Sequence, residues 1–151
     1  MRIKIKKLNE RAIMPEKKTQ YAAAYDLAVP RDFIIRPGRQ VVPLGLAIEL
    51  PYGYEAKIEP RSGYSSKGFA GYRADTQQCF DADVIIGKID ADYRGGIGVI
   101  VISREPLMFT IRSGQRIAQL TIYRCEDAEF EEVDDLEMTN RGEGGFGHTG
   151  A

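Results

Sequence analysis

Histidine and cysteine are scarce in this 151-residue sequence, and that scarcity narrows the chemistry early. His148 is the only histidine, so two-histidine metalloprotease chemistry is excluded. Its place near the C-terminal end also argues against a Ser-His-Asp triad. Cys79 and Cys125 stand 46 positions apart with no ligand cluster beside either, which rules out a disulfide framework and CxxC-type zinc sites. A single bridge between them stays open, but the expectation is two free, buried thiols in a reducing compartment. Proton chemistry therefore falls to carboxylates. Asp90 follows Ile89 and precedes a turn, so it can project from a hairpin, where a carboxylate can orient a water molecule and take its proton. Alone, the same residue would be a surface-turn aspartate. Arg61-Ser62-Gly63 combines a cation, a hydroxyl donor and a glycine that lets the backbone come close, the components of a phosphate-binding turn. Ser66 and Lys67 either extend it or are solvated.

The tail adds a third feature. Arg141–Gly150 holds five glycines and one ring, Phe146. Such a segment cannot form a core, because glycine loses the most backbone freedom on ordering. It is either a disordered terminus or a flap that orders over a ligand. An arginine, a ring and many open N–H groups suit a phosphorylated, planar one.

These groups need a scaffold, and the hydrophobic periodicity predicts strands. Ile3, Ile5 and Leu8 begin an alternating basic strand, and Leu44, Leu46, Ile48 and Leu50 repeat with period two. Ile97–Ile102 is a β-branched run broken by Gly98, the pattern of a strand buried on both faces. Ile117–Tyr123 is another strand. Turn signals fall between them at Arg36-Pro37-Gly38, Pro51-Tyr52-Gly53, Arg94-Gly95-Gly96 and Ser113-Gly114. With no long amphipathic helix, the fold class is all-β: a sandwich, barrel or jelly roll. Cys125–Leu136 reads as an acidic edge strand that leaves its own domain. The length fits one domain.

Charge excludes further classes. The 21 basic and 22 acidic residues give a net charge of −1 and a pI near 5.9, unlike a non-specific nucleic-acid binder. The distribution is uneven, with seven basic and two acidic residues in 1–18 against eight acidic residues in Glu126–Glu137. No apolar run approaches 18 residues, and Met1–Leu8 is too charged for a signal-peptide core. The expectation is a cytoplasmic protein, not secreted, with neither membrane nor nucleic acid as a partner.

Five blocks resemble the ordered motifs of the trimeric dUTPases: Ala23-Ala24-Tyr25-Asp26-Leu27, Pro60-Arg61-Ser62-Gly63, Gly87–Gly95 (GKIDADYRG), Gly114–Leu120 (GQRIAQL) and Arg141–Gly150 (RGEGGFGHTG). Any one is weak; five in register are strong. The resemblance implies a jelly-roll protomer over residues 1–140 with C-terminal strand exchange and a flexible flap over 141–151. It implies a homotrimer with shared active sites, and hydrolysis of dUTP to dUMP and pyrophosphate. That reaction supplies dUMP for dTMP synthesis and keeps uracil out of DNA. In this reading Asp90 is the base that activates water for attack on the α-phosphorus. Tyr93 packs beneath the sugar and excludes a 2′-hydroxyl. The apolar hairpin Val84–Lys88 reads uracil with backbone groups, Gly87 and Lys88 among them, and Ile89 and Gly98 join the substrate site. Cytosine inverts the donor and acceptor pattern, which costs about 1–3 kcal/mol for each unpaired group. Arg61, Ser62 and Gly63 hold phosphate, Gln119 lies on the α-phosphate side, and Arg116 is as readily structural as catalytic. Arg141 meets the γ-phosphate, Phe146 stacks on uracil, and Gly147 belongs to the same flap. The cofactor implied is Mg²⁺, carried by phosphate oxygens and water with no direct protein ligand, and with Asp26 in an outer shell or a salt bridge.

The blocks also depart from the family pattern. Ala24 stands where glycine is usual, which predicts strain if that position needs a positive φ. His148 replaces serine, and no asparagine accompanies the hairpin at Val84. Arg61 and Gly87 are 26 positions apart, and the extra length points to an inserted rim loop within Gly68–Asp83, although a partner site or an inert loop stays open. Two other readings share the fold: a dCTP deaminase, against which the Asp90/Tyr93 block and the tail argue, and a catalytically silent regulatory relative.

Overall fold

The computed structural model describes residues 1–144. Its chain order is β1 (Lys4–Lys7), β2 (Tyr25–Ala28), β3 (Phe33–Ile35), β4 (Gly38–Glu49), β5 (Tyr54–Glu59), α1 (Ser62–Lys67), β6 (Phe69–Arg73), β7 (Thr76–Phe80), β8 (Ala82–Ile85), β9 (Gly87–Ile89), β10 (Ile97–Ser103), β11 (Phe109–Ile111) and β12 (Arg116–Arg124). These strands form three four-stranded antiparallel sheets, ordered β1-β4-β10-β8, β3-β11-β6-β7 and β2-β12-β5-β9. The all-β class predicted from periodicity, and the jelly-roll-like form of it implied by the resemblance, are the class observed.

The period-two stretch does what its pattern requires. Leu44, Leu46, Ile48 and Leu50 are buried and close one contiguous core with Val99 and Val101 of β10, Ile58 of β5, and Ile117 and Leu120 of β12. Gly53 and Gly114 take φ of +78° and +80°, as their turns demand. Ala24 is not among the non-glycine residues with positive φ, which among the described residues are Ala74 and Asp75. The strain expected at Ala24 is therefore absent.

Several expectations are corrected. β10 is buried on one face: Ile97, Val99 and Val101 are enclosed, while Ile100 and Ile102 are half-buried, because only one face of its sheet meets the core of its own chain. Gly68–Asp83 is not an irregular loop. It is the β6–β7 hairpin, closed by left-handed residues at Ala74 (φ +47°) and Asp75 (φ +59°), and it seats Phe69 and Phe80 in the core beside Phe109. The extra length between Arg61 and Gly87 is thus taken up by paired strands whose ends bury two rings. Val84–Lys88 is not a hairpin either. β8 pairs with β10 and β9 with β5, so the chain changes sheets at exposed Ile86.

Cys125–Leu136 forms no strand. The segment is tied down where the Cys125 N–H donates to the Gly53 carbonyl at 2.8 Å and where the Tyr52 hydroxyl meets Asp127. Beyond that Phe130 is 95% exposed, and Leu136 and Met138 are equally bare. An alternating strand needs a sheet edge to pair with, and this segment pairs with none of the edges of its own chain. Both cysteines are free, and both are exposed rather than buried.

Candidate active site

The phosphate turn is built by the change of direction after β5. Arg61 is still extended (φ −79°, ψ 137°) and opens α1, whose first N–H groups have no partner within the helix. Sequence reasoning anticipated the turn and missed the helix, which is a single short segment with no periodicity to announce it. The Arg61 guanidinium is held from two sides. Its Nε lies 3.2 Å from Asp26 Oδ1, and its Nη1 donates to the Arg116 carbonyl at 3.1 Å. Arg116 Nη1 donates in turn to Asp26 Oδ2 at 2.8 Å. Asp26, 14% exposed at its side chain, thus carries one guanidinium on each oxygen. Such charge-assisted bonds are the strong ones. Arg116 is here a structural partner of this cluster.

Gln119 lies beside it. In the sheet it sits directly between Asp26 of β2 and Glu59 of β5, and its Nε2 donates to the Pro60 carbonyl at 3.1 Å. The amide therefore borders the same open pocket as the turn. That pocket, about 330 Å³, is lined by Arg61, Ser62, Gly63, Lys67, Cys79 and Gln119 among others. Four blocks far apart in sequence meet here: Asp26, Arg61–Gly63, Arg116–Gln119 and the unforeseen hairpin residue Cys79.

The Asp90 block is organised by its own turn. The Tyr93 N–H donates to the Asp90 carbonyl at 3.2 Å, and Asp90 stands exposed just after β9. The turn leads to β10 in another sheet, so Asp90 projects from a connection between sheets and not from the expected hairpin. Tyr93 folds back over the turn, its hydroxyl donating to the Gly96 carbonyl at 3.1 Å. A Cβ at Gly95 would lie 2.3 Å from that hydroxyl oxygen, which explains the glycine. The ring is still 45% exposed and can receive a ligand. β9 is the edge of its sheet, so the backbone of Gly87, Lys88 and Ile89 is paired with β5 on one side only. The Lys88 ammonium is committed to Glu55, whose hydrogen bond pushes its pKa above the ordinary lysine range. Gly98 occupies a register shift in β10, with a virtual Cβ 2.6 Å from Val41 Cγ1, so any larger residue there would displace β4.

The chain does not bring its two halves together. Ile58 pairs with Gly87 and Ala56 with Ile89, which sets Asp90 level with Glu55. Arg61 lies six residues farther along the extended chain, about 20 Å away at roughly 3.3 Å per residue. No substrate the size of a nucleoside triphosphate could place one phosphorus beside Asp90 and its phosphate tail on Arg61 by lying along this sheet. Arg141 is also apart, its Nε donating to the Gly144 carbonyl at 2.7 Å within a local turn. Phe146, Gly147 and His148 lie outside the described residues. No group of three His, Cys, Asp or Glu that could hold a metal occurs among the described residues. No helix among them is long and apolar enough to cross a membrane.

An all-β protomer with a phosphate turn at one end of a sheet and an aspartate turn at the other defines a class, and the comparisons identify it. The family model for dUTPase matches residues 10–150; the chain belongs to the dUTPase family. It is 43% identical over 152 residues to the deoxyuridine 5′-triphosphate nucleotidohydrolase of Nautilia profundicola, with 99% of each chain covered. It is 40% identical to the enzyme of the same name from Solanum lycopersicum, covering 97% of this chain and 80% of that one. The Staphylococcus bacteriophage 80alpha dUTPase, solved with dUPNHPP, is similar in structure, with a TM-score of 0.83, 27% identity and 99% of each chain covered. A mutant dUTPase from phage phi11 of S. aureus, which coordinates a structural Mg(II) ion, shares the fold at a TM-score of 0.76 and 24% identity, covering 91% of this chain.

Proposed function

We propose that this protein is a dUTP diphosphatase whose active site is completed across subunits. The observation that carries the reading is the register of β9 on β5, which puts Asp90 level with Glu55 and so about 20 Å from the Arg61–Gly63 turn at roughly 3.3 Å per residue. Each half is well formed and neither suffices. A closed homotrimer supplies the missing half at each subunit boundary, because a head-to-tail contact repeated around an axis juxtaposes two different patches of the same surface. The acidic arm after Arg124 supports the same conclusion. It carries exposed apolar side chains with no surface of their own chain to cover, and its charge is opposite to that of the β1 region.

In the assembled site the triphosphate lies on Arg61, Ser62, Gly63 and Gln119, with the sugar against Tyr93. The outer edge of β9 offers Gly87–Ile89 backbone groups to the base. Asp90 accepts a proton from water as the oxygen attacks the α-phosphorus, pyrophosphate leaves, and dUMP remains. General-base assistance of this kind contributes roughly 10²–10⁴-fold. Residues 1–140 form the catalytic domain, and 141–151 act as the flap, bringing Arg141 to the γ-phosphate and Phe146 and Gly147 over the base.

A divalent cation, Mg²⁺ in this reading, would be held by triphosphate oxygens and water. The donor set fits that arrangement, since both Asp26 oxygens are engaged by guanidiniums and leave the carboxylate to orient Arg61. When bound, the ion neutralises phosphate charge.

Incubation with dUTP or dCTP in the presence of Mg²⁺, measuring pyrophosphate and ammonia, tests the function. Pyrophosphate from dUTP alone is the expected result. Ammonia from dCTP would replace the reading with deamination, and neither product would make the chain a silent relative.

A further inference from the structure

Gln115 lies in the turn before β12, outside the groups assigned to the phosphate, and its side chain makes three hydrogen bonds. Both hydrogens of its Nε2 are used. One is donated to the Tyr64 hydroxyl at 2.9 Å and the other to the Ala70 carbonyl at 2.6 Å. Its Oε1 accepts the Arg112 N–H at 3.2 Å. The backbone is fixed as well: the Gln115 N–H donates to the Arg112 carbonyl at 3.0 Å, and the Val29 N–H donates to the Gln115 carbonyl at 3.1 Å. An amide satisfied in this way has one orientation.

The partners explain what that orientation does. Tyr64 is the third residue of α1, directly after Ser62 and Gly63, and its N–H donates to the Arg61 carbonyl at 2.8 Å. Its ring packs on Phe69 with centroids 4.7 Å apart and carries the Arg61 guanidinium over its face at 5.8 Å. Ala70 belongs to β6, the strand that forms the far wall of the pocket. One side chain therefore ties the helix that begins the phosphate turn to the hairpin opposite and to the strand carrying Arg116 and Gln119. Burial holds the phenol of Tyr64 above its ordinary pKa, so it stays a neutral hydroxyl over the working range of the enzyme.

We infer that Gln115 is a positioning residue for triphosphate binding, acting through Tyr64 to set Arg61, Ser62 and Gly63 against Gln119. The inference deepens the dUTPase reading and rests on it. Without the amide, α1 keeps its single turn but loses its tether, so the phosphate turn spends part of its time away from the geometry the triphosphate needs. The nucleoside part of the ligand, which depends on Tyr93 and β9, is unaffected.

The test compares two ligands on three proteins. Dissociation constants for a non-hydrolysable dUTP analogue and for dUMP are measured for the parent, Gln115→Ala and Tyr64→Phe, together with kcat, KM and Tm. Loss of one or two hydrogen bonds predicts roughly five- to tenfold weaker analogue binding and a matching rise in KM. Affinity for dUMP and kcat change by less than about twofold. Tyr64→Phe keeps the ring against Phe69 and Arg61 and removes only the acceptor, so it should reproduce most of the effect, and the double variant should be no worse than Gln115→Ala. Equal losses for both ligands, additive effects of the two substitutions, or analogue binding unchanged in a folded Tyr64→Phe would each overturn the inference. Failure of the parent to hydrolyse dUTP would instead refute the function on which it rests.

Discussion

Two variants that are inactive separately should restore activity when they share a trimer. Asp90→Asn removes the proposed base and leaves the Arg61–Gly63 turn intact; Arg61→Gln removes the proposed phosphate cation and leaves the Asp90 turn intact. Because β5 sets these residues about 20 Å apart in one chain by strand rise, the proposed site draws them from different subunits. Co-expression with two distinct tags, followed by purification through both, yields trimers of two-to-one composition. In such a ring one of the three boundaries pairs an intact Arg61 with an intact Asp90, so the mixture should show about a third of parental kcat. The parents should each fall by roughly 10²-fold or more. Turnover of dUTP is followed by pyrophosphate release, with each variant alone and the two mixed after purification as controls. A doubly tagged sample no more active than its parents would refute the shared site.

Asp26→Asn leaves two guanidiniums facing an uncharged amide, so analogue affinity should fall about tenfold or more and Tm should drop, both read by calorimetry. Gly71→Ala places a Cβ 2.5 Å from Phe109 Cδ2 and should cost about 1–3 kcal/mol in chemical denaturation, with kcat/KM retained in the folded fraction. Replacing Ala74-Asp75 by Asn-Gly suits the left-handed turn and should raise Tm by a few degrees, because the present residues adopt positive φ at a cost. Glu105 has its pKa lowered by the Asp81 N–H and then by Arg73. Its stabilising contribution is thus present above the unfolded carboxylate pKa and is lost as pH falls through the folded one. Glu105→Gln should lower Tm at neutral pH and flatten its acid limb. Deleting residues 141–151 should leave a folded oligomer with nearly abolished turnover; an unaltered kcat would remove the flap from the mechanism.

The parts of this molecule legible in its sequence are those where a local pattern has one structural solution. Leu44, Leu46, Ile48 and Leu50 could only be a half-buried strand, and Gly53 and Gly114 could only be turns. Resemblance located Asp26, Arg61 and Gln119, and the sheet register brought them together. What stayed hidden depends on partners remote in sequence. The β6–β7 segment reads as a polar loop until Phe69 and Phe80 are seen against Phe109, a ring from a strand remote in sequence. Tyr64 and Gln115 carry no signal of their own, since a hydrogen bond across 51 positions leaves no periodicity. The acidic arm misled for a different reason: its alternation is real, but within one chain it leaves the core and pairs with no sheet edge.

The account stands on proton transfer at one side chain. Asp90→Asn should retain tight binding of a non-hydrolysable dUTP analogue while kcat for dUTP falls by roughly 10²–10⁴-fold. Turnover at the parental rate in that variant would contradict it.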